Sequence, residues 1–217
     1  MKNRSPIKGL LVYSYYASGP VVGANFLVCL IVAISFLFAG VNWGFQILVF
    51  MAGINLPMSA MIGMASKEGK WERYQLTMPI KRGQLIAMQY LTMLIVTALA
   101  VVLLATFVGA SSILHDDMFY GSLIDTFLGT AHTFSLPLLM AGLVFPLASS
   151  KIGKDRETMV MLVCMTAAMA IHVAVPMIGY RIGLSVDIIP TAFLAITAAY
   201  FIVSYFISKS LYNKLDF

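Results

Sequence analysis

The sequence is short of charge, and the charge that it has is unevenly spread. Of its 217 residues, 11% are Asp, Glu, Lys or Arg, whereas 60% are hydrophobic. No charged side chain occurs in residues 9–66 or in residues 83–114. An ionised side chain at the centre of a bilayer costs about 2.5–3.5 kcal/mol even on the mildest scale, so lipid is the natural solvent for such tracts. The composition excludes a soluble domain and predicts one polytopic, all-α membrane protein.

Several chemical signatures are missing as well. The sequence contains no G-x-x-x-x-G-K-[ST] phosphate loop, no H-E-x-x-H and no G-x-S-x-G, and with them the common motifs of ATPases, zinc proteases and serine hydrolases are absent. The two cysteines, Cys29 and Cys164, lie in apolar tracts and are predicted to be small buried hydrophobes, not a disulfide or a metal pair. We therefore predict no catalytic residue and no metal site. The net charge of +5 indicates membrane orientation, not a nucleic-acid partner.

The uncharged tracts are too long for single spans. As one helix, residues 9–66 would extend about 87 Å, whereas the hydrocarbon core of a bilayer is about 30 Å thick. We expect the chain to fold back at residues 40–44, and we predict kinks at Pro57, Pro137 and Pro146. The six predicted spans are about 21–40, 44–65, 84–109, 125–148, 158–179 and 189–208.

Basic residues predict the orientation of these spans. With the N-terminus inside, 13 of the 14 Lys and Arg residues lie on the cytoplasmic side, and only Arg181 lies outside. The positive-inside rule then places both termini in the cytoplasm. Residues 1–19 combine basic side chains with apolar and tyrosine positions, which predicts an interfacial helix that ends at Gly19-Pro20.

A charged island separates the second and third spans. Residues 67–82 carry seven charged side chains in sixteen positions. Trp71, Tyr74 and Met78 lie at i, i+3 and i+7, which is one stripe of a helix, and Pro79 should end that helix. One interpretation is an amphipathic helix lying flat on the lipid headgroups. The other is a projecting helix that docks on a soluble partner.

The six spans, the N-terminal amphipathic helix and this cytoplasmic island together resemble the ABC-2 class of ABC transporter permeases, in particular its small bacterial subunits. The residues that carry the resemblance in the island are Glu68, Trp71, Tyr74, Met78, Pro79, Ile80 and Arg82, with further support from Gly153, Lys154 and Arg156 in the next cytoplasmic loop. The resemblance implies that residues 67–80 form the coupling helix, which sits in a groove of a separate ATP-binding subunit and passes ATP-driven closure to the membrane helices.

The resemblance also implies roles for individual residues. Four side chains of the coupling helix would dock on the ATP-binding subunit: Glu68, Trp71, Tyr74 and Met78. Glu72 would add a flanking charge that helps to set orientation and partner choice. Pro79 would end the coupling helix, and Arg82 would anchor the start of span three at the headgroups. Lys154 and Arg156 would belong to the second cytoplasmic loop.

The implied assembly is an exporter in the bacterial cytoplasmic membrane. It would contain two permeases, identical or homologous, and two ATP-binding subunits that hold ATP and Mg, while this chain binds no cofactor. The expected cargo is an amphipathic peptide or a hydrophobic compound, which would link the protein to peptide export and antimicrobial resistance. The alternative is a non-transporting immunity or scaffold protein that binds a peptide or partner without ATP. Larger family members carry an external segment between spans five and six, so an external gate helix is an open question here.

Four polar residues within the spans are candidates for the translocation path: His132, His172, Asn25 and Asn55. Both histidines are predicted to lie in the outer half of the bilayer, where a polar side chain is often functional. The alternative for each histidine is a neutral imidazole bonded to a carbonyl or to a Ser or Thr hydroxyl of a neighbour. For the asparagines, the alternative is hydrogen bonding between helices.

Overall fold

The structure, a computed structural model, describes residues 6–39, 47–65, 82–114, 123–149, 157–185 and 188–214. Side chains are described over 18–39, 47–61, 83–114, 134–149, 159–185 and 188–214. Within these ranges the chain is helical, with short turns and no strand. The all-α prediction is therefore confirmed for the described part of the chain.

The described ranges hold six successive helical segments. They are α1 (Pro6–Ala39), α2 (47–65), α3 (Arg82–Leu114), α4 (Leu123–Ala148), α5 (Glu157–Arg181) and α6 (Ile188–Asn213). The predicted spans 84–109, 125–148, 158–179 and 189–208 fall within α3, α4, α5 and α6 respectively.

Within the described residues, four stretches are long and apolar enough to cross a membrane: Ser18–Ala39, Gly83–Leu114, Met159–Arg181 and Ile188–Asn213. Two shorter apolar stretches, Ile47–Met61 and Phe134–Ala148, lie in α2 and α4. Helix α3 has 33 residues and is about 50 Å long, so it exceeds the hydrocarbon core and is either tilted or emerges from it. The chain is thus a helical membrane protein.

Helix α1 corrects one prediction. It runs without a break from Pro6 to Ala39 and contains Pro20 in its interior, so the predicted helix end at Gly19-Pro20 is wrong. A proline inside a helix removes one N–H donor, but an apolar helix in a membrane tolerates that loss when its neighbours and local adjustments satisfy the backbone. At 34 residues, α1 is about 51 Å long, longer than one span requires.

Helix α2 contains an irregular turn where the sequence predicts a kink. Residues Met51–Asn55 form a π turn, and the Leu56 N–H donates to the Met51 carbonyl oxygen five residues earlier. Pro57 follows directly and has no N–H to donate to the carbonyl of Gly53. The π turn therefore lies just before the residue at which the α-helical hydrogen-bond pattern is interrupted. Single π turns are a common local adjustment within α-helices.

Helix α4 lies at the centre of the bundle. Every residue from 134 to 142 is buried, and α4 contacts α2, α3, α5 and α6, most extensively α6. Helices α3 and α6 each bury one stripe. The stripe of α3 includes Ile86, Tyr90, Met93, Ala100, Leu104 and Phe107, and the stripe of α6 includes Phe193, Thr197, Phe201, Ser204 and Ser208. The i, i+3, i+4, i+7 spacing of these positions is that of one helix face.

The connection from α5 to α6 is a tight cap. Gly183 adopts φ +83, a conformation that glycine enters without strain. The Leu184 N–H donates to the Gly179 carbonyl at 3.1 Å, and the Gly183 N–H donates to the Tyr180 carbonyl at 3.2 Å, which is the Schellman pattern. Only residues 182–187 separate the two helices. Three of these six positions, residues 182–184, belong to the cap.

Candidate functional site: polar contacts inside the bundle

Most of the predicted coupling site lies outside the described residues. This applies to Glu68, Trp71, Glu72, Tyr74, Met78 and Pro79, and equally to Lys154 and Arg156. The structure does show that α3 begins at Arg82, directly after this segment. The coupling role of residues 67–80 therefore stays a prediction, and the described part of the site is the bundle that those residues would act upon.

The predicted path residues have different environments. Asn25 is half-buried on α1, and Asn55 is exposed at the last position of the π turn in α2. His172 is half-buried on α5. His132 belongs to α4, but its side chain lies outside the described residues. A path that joins these four residues stays a prediction.

His172 connects three helices. Its Nδ1 lies 3.1 Å from Ser135 Oγ on α4, and its ring centroid is 5.8 Å from that of Phe193 on α6, with the planes inclined at 52°. Ser135 is fully buried. This geometry matches the alternative in which the imidazole bonds a neighbouring serine hydroxyl, and such a contact joins helices where no water competes for the bond.

A second polar contact lies between α3 and α6. Tyr90 Oη is 3.0 Å from Ser204 Oγ and 2.8 Å from Ser208 Oγ. All three residues are buried, with exposed fractions of 4%, 0% and 0%. These residues were not among those predicted from the sequence. The available signal was a tyrosine inside an uncharged tract together with two serines four residues apart on one helix face.

Aromatic rings enclose Tyr90 beneath its hydroxyl. The ring centroids of Phe145 on α4 and Phe201 on α6 lie 4.9 Å and 4.8 Å away, with the planes tilted by 60° and 53°. The ring of Tyr205 is 5.4 Å away, edge to face at 76°. Tilted and edge-to-face pairs are favourable arrangements for aromatic rings. Tyr90 therefore joins α3 to both α4 and α6.

Glycine permits a close approach of α4 to α6 at position 142. A Cβ atom placed on Gly142 would lie 2.7 Å from Cε1 and 2.9 Å from Cδ1 of Tyr200. Contacts between heavy atoms at such distances are repulsive, so only glycine fits without a shift. Small residues at membrane helix interfaces serve this purpose in general, because they let backbones approach.

Two further hydroxyls in α3 are buried without a hydrogen bond among the residues that the structure describes: Thr97 Oγ1 and Ser111 Oγ.

The two cysteines lie on other helices. Cys29 on α1 and Cys164 on α5 are buried and free, which confirms the prediction that both are buried in the apolar interior.

The polar contacts that join helices among the described residues are made by hydroxyls and one imidazole. A family profile described as ABC-2 family transporter protein matches residues 9–213. No curated protein and no solved structure matches the chain.

Proposed function

Because the chain belongs to the ABC-2 transporter family, we propose that it is the membrane-spanning permease subunit of an ATP-driven exporter. The single observation that carries this proposal is the family match over residues 9–213, nearly the whole chain. The long apolar helices agree with it, since the family is a membrane component of transport. The resemblance found in the island at 67–82 points the same way.

The energy for export would come from a separate ATP-binding subunit. The sequence holds no phosphate-binding loop of the G-x-x-x-x-G-K-[ST] type, so ATP and Mg are assigned to that partner. The docking element is proposed to be residues 67–80, with Trp71 and Tyr74 as the main anchors, because buried aromatic side chains dominate the binding energy of most interfaces. The start of α3 at Arg82 gives this element a direct covalent connection to a membrane helix.

The proposed topology has six spans with both termini in the cytoplasm. In this topology the docking element, the loop with Lys154 and Arg156, and the tail with Lys209 and Lys214 all face the cytoplasm, as the positive-inside rule requires. The exposed Arg181 is the exception and ends α5 on the outer side. A cation in the last turn of a helix is favourable in itself, because it faces the negative end of the helix dipole.

The proposed assembly contains two permeases and two ATP-binding subunits. Support comes from the apolar faces of α1 and α5, where only 17% and 11% of the most apolar stretch is buried within the chain. Exposed side chains on these faces include Ile31, Phe38, Leu162 and Val173. Lipid or a second permease, identical or homologous, would cover them.

The proposed cargo is an amphipathic peptide or a hydrophobic compound that leaves across the bacterial cytoplasmic membrane. The support is chemical: the described hydrogen bonds between helices involve hydroxyls and one imidazole, and the tracts 9–66 and 83–114 are uncharged. An uncharged path suits cargo that partitions into lipid, because it needs no charged side chain for its neutralisation.

Co-purification with a candidate ATP-binding subunit, sought first in the neighbouring open reading frames, tests the proposal. We expect Trp71→Ala combined with Tyr74→Ala to weaken the complex about tenfold or more, since both anchors would be lost. The matched control is Trp43→Ala combined with Tyr180→Ala, which removes the same two residue types from the proposed outer side and should leave binding unchanged. Undiminished binding in the first variant would refute the docking role. Failure of the wild-type chain to bind any ATP-binding subunit would refute the exporter and favour an immunity or scaffold protein.

A further inference from the structure

The contact between α3 and α6 at Tyr90 lies close to the start of α3, where the proposed docking element would pass on the movement of the ATP-binding subunit. Tyr90 is eight residues after Arg82, where α3 begins, which is about 12 Å along the helix axis. It is 4% exposed, and its ring packs against Phe145 of α4 and Phe201 of α6. The proposed function uses neither Tyr90 nor the two phenylalanines.

The hydroxyl groups at this contact form a directed chain. Ser204 Oγ donates to the Phe201 carbonyl oxygen at 2.7 Å, and a hydroxyl has a single proton to give. Tyr90 must therefore donate to Ser204 Oγ, at 3.0 Å, and accept from Ser208 Oγ–H, at 2.8 Å. This series of hydrogen bonds runs from Ser208 through Tyr90 and Ser204 to the backbone of α6. Both bonds cross between helices in apolar surroundings, where a broken bond has no water to replace it.

A neighbouring contact joins the same two helices nearer their ends. A Cβ atom on Gly83 would lie 3.1 Å from Cε and 3.7 Å from Cδ of Lys209, so the aliphatic part of that lysine lies against the first turn of α3. The lysine stem can cover apolar surface while its ammonium group stays in water. The beginning of α3 and the end of α6 are thus joined at two levels, by packing at Gly83 and by packing and hydrogen bonds at Tyr90.

Helix α6 in turn lies directly on α4. Tyr200 and Ser204 both face Gly142 of α4, at 2.7 Å and 3.5 Å from the position of its missing Cβ. Ser204 therefore contacts α3 through Tyr90 and lies next to α4 through Gly142. Packed interfaces of this kind move as rigid bodies because interiors are close to incompressible.

We infer that Tyr90 is a positioning residue that makes α3 and α6 move as one body, so that a displacement at the start of α3 reaches α6 and, through Gly142, α4. The inference rests on the proposed function, because the displacement would come from the docking element that precedes α3. It goes further in naming the residue at which the displacement leaves α3. Coupling of this type runs through elements that are in physical contact. Here the contact consists of the hydrogen bonds from Tyr90 of α3 to Ser204 and Ser208 of α6.

The first test uses the purified protein alone, in detergent, and does not depend on any partner. Tyr90→Phe keeps the ring and removes only the hydroxyl, and we expect it to lower the melting temperature by about 2 °C. Ser204→Ala combined with Ser208→Ala should add little once Tyr90→Phe is present, because both bonds between the helices are already lost and the one further bond removed, from Ser204 to the Phe201 carbonyl, lies within α6. Tyr205→Phe is the matched control, since it removes a hydroxyl from the same aromatic cluster and should leave the melting temperature unchanged. Additive effects would show that the hydroxyl chain does not operate as a unit and would overturn the inference.

The second test uses the complex with its ATP-binding subunit in lipid nanodiscs. Amide hydrogen exchange is measured without nucleotide and after trapping with ATP, Mg and vanadate. In the wild type we expect exchange to change at the start of α3 and at the end of α6 together. In Tyr90→Phe the change should remain in α3 and be lost from α6, whereas Tyr205→Phe should retain both. A purely structural role for Tyr90 would lower the melting temperature without separating the two responses.

The outcomes distinguish this inference from the proposed function. If the partner binds and Tyr90→Phe still shows the full response in α6, the inference is overturned and the exporter stands. If the wild-type complex responds in α3 but not in α6, the inference is overturned in the same way. If no ATP-binding subunit associates with the chain, the exporter fails and the coupling role of Tyr90 fails with it.

Discussion

The inner and outer helices of this bundle differ in how much of their surface the chain itself covers. In the most apolar stretch of α3 50% of the residues are buried, and in α6 33% are, whereas the values for α1 and α5 are 17% and 11%. The two inner helices are the most and the least apolar of the four, so hydropathy does not distinguish inner from outer helices. The difference is one of position, because apolar side chains on an outer helix are as stable in lipid as they are against protein.

Hydroxyl groups show what that difference means for the fold. On the exposed faces of the outer helices they bond their own backbone: Ser35 Oγ donates to the Ile31 carbonyl at 2.8 Å, and Thr166 Oγ1 donates to the Leu162 carbonyl at 2.9 Å. In the interior, Tyr90 bonds two serines of another helix. A hydroxyl that faces lipid has its own helix as the nearest acceptor, whereas one that faces protein can specify which helices pair. The inner contacts thus hold the bundle in register, and the outer faces stay open to lipid or a second subunit.

The largest expected effect on stability comes from comparing two phenylalanines of α6, one on its buried face and one on its exposed face. Phe201 is 5% exposed and packs on Tyr90, whereas Phe206 is 61% exposed. We expect Phe201→Ala to lower the free energy of unfolding by about 3 kcal/mol, the low end for Phe-to-Ala changes in cores, because the unfolded chain in the membrane does not expose the ring to water. Phe206→Ala should change it by less than about 0.5 kcal/mol. Unfolding by dodecyl sulfate in mixed micelles, followed by circular dichroism, measures both. Equal effects would show that α6 does not have the inner and outer faces described.

A smaller effect on stability is expected from comparing two glycines, one at a contact between helices and one with open space around it. Gly142→Ala would force a methyl group against the ring of Tyr200, and we expect a loss of about 1–3 kcal/mol in the free energy of unfolding. Gly109→Ala is the matched control in α3, since nothing lies within 4 Å of its missing Cβ. It should be neutral or stabilising by up to about 1 kcal/mol, because alanine restricts the unfolded backbone.

Truncation of the opposing ring should rescue the glycine variant. Tyr200→Leu combined with Gly142→Ala is expected to be less destabilised than the sum of the two single changes, because the clash needs both partners. Strict additivity in the double variant, measured by the same unfolding assay, would mean that α4 and α6 do not meet at Gly142.

Charge and length in the sequence predicted where the helices lie, but not which faces they bury. Arg82, Glu157 and Arg181 mark helix limits in the structure because charged side chains and lipid exclude one another. The helix end at Gly19-Pro20 was predicted wrongly, since a proline within an apolar helix does not force an end. Hydropathy alone does not separate Phe201 from Phe206, because phenylalanine occurs on both faces of α6; the available signal is that Thr197, Ser204 and Ser208 share the face of Phe201.

The candidate site was less predictable than the fold. A serine or threonine partner for His172 was one of two interpretations, but the identity of Ser135, 37 residues earlier, depends on how α4 and α5 pack. The same holds for Tyr90 and its partners, which are 114 and 118 residues apart in sequence. Pairings at such separations follow from tertiary packing, to which a single sequence gives no direct access.

The smallest expected effect belongs to the contact between Ser135 and His172. A double-mutant cycle with Ser135→Ala and His172→Phe should give a coupling energy of about 0.6 kcal/mol, the average for hydrogen bonds between membrane helices, and phenylalanine keeps the ring that faces Phe193. Ser35→Ala on α1 is the control and should change stability very little, since its hydroxyl bonds its own helix. A coupling energy near zero would mean that the inner hydroxyls hold helices together no better than the outer ones. Normal stability in His172→Phe with loss of ATP-driven export would instead assign the imidazole to the path, because helix pairing and cargo contact are then separable at one residue.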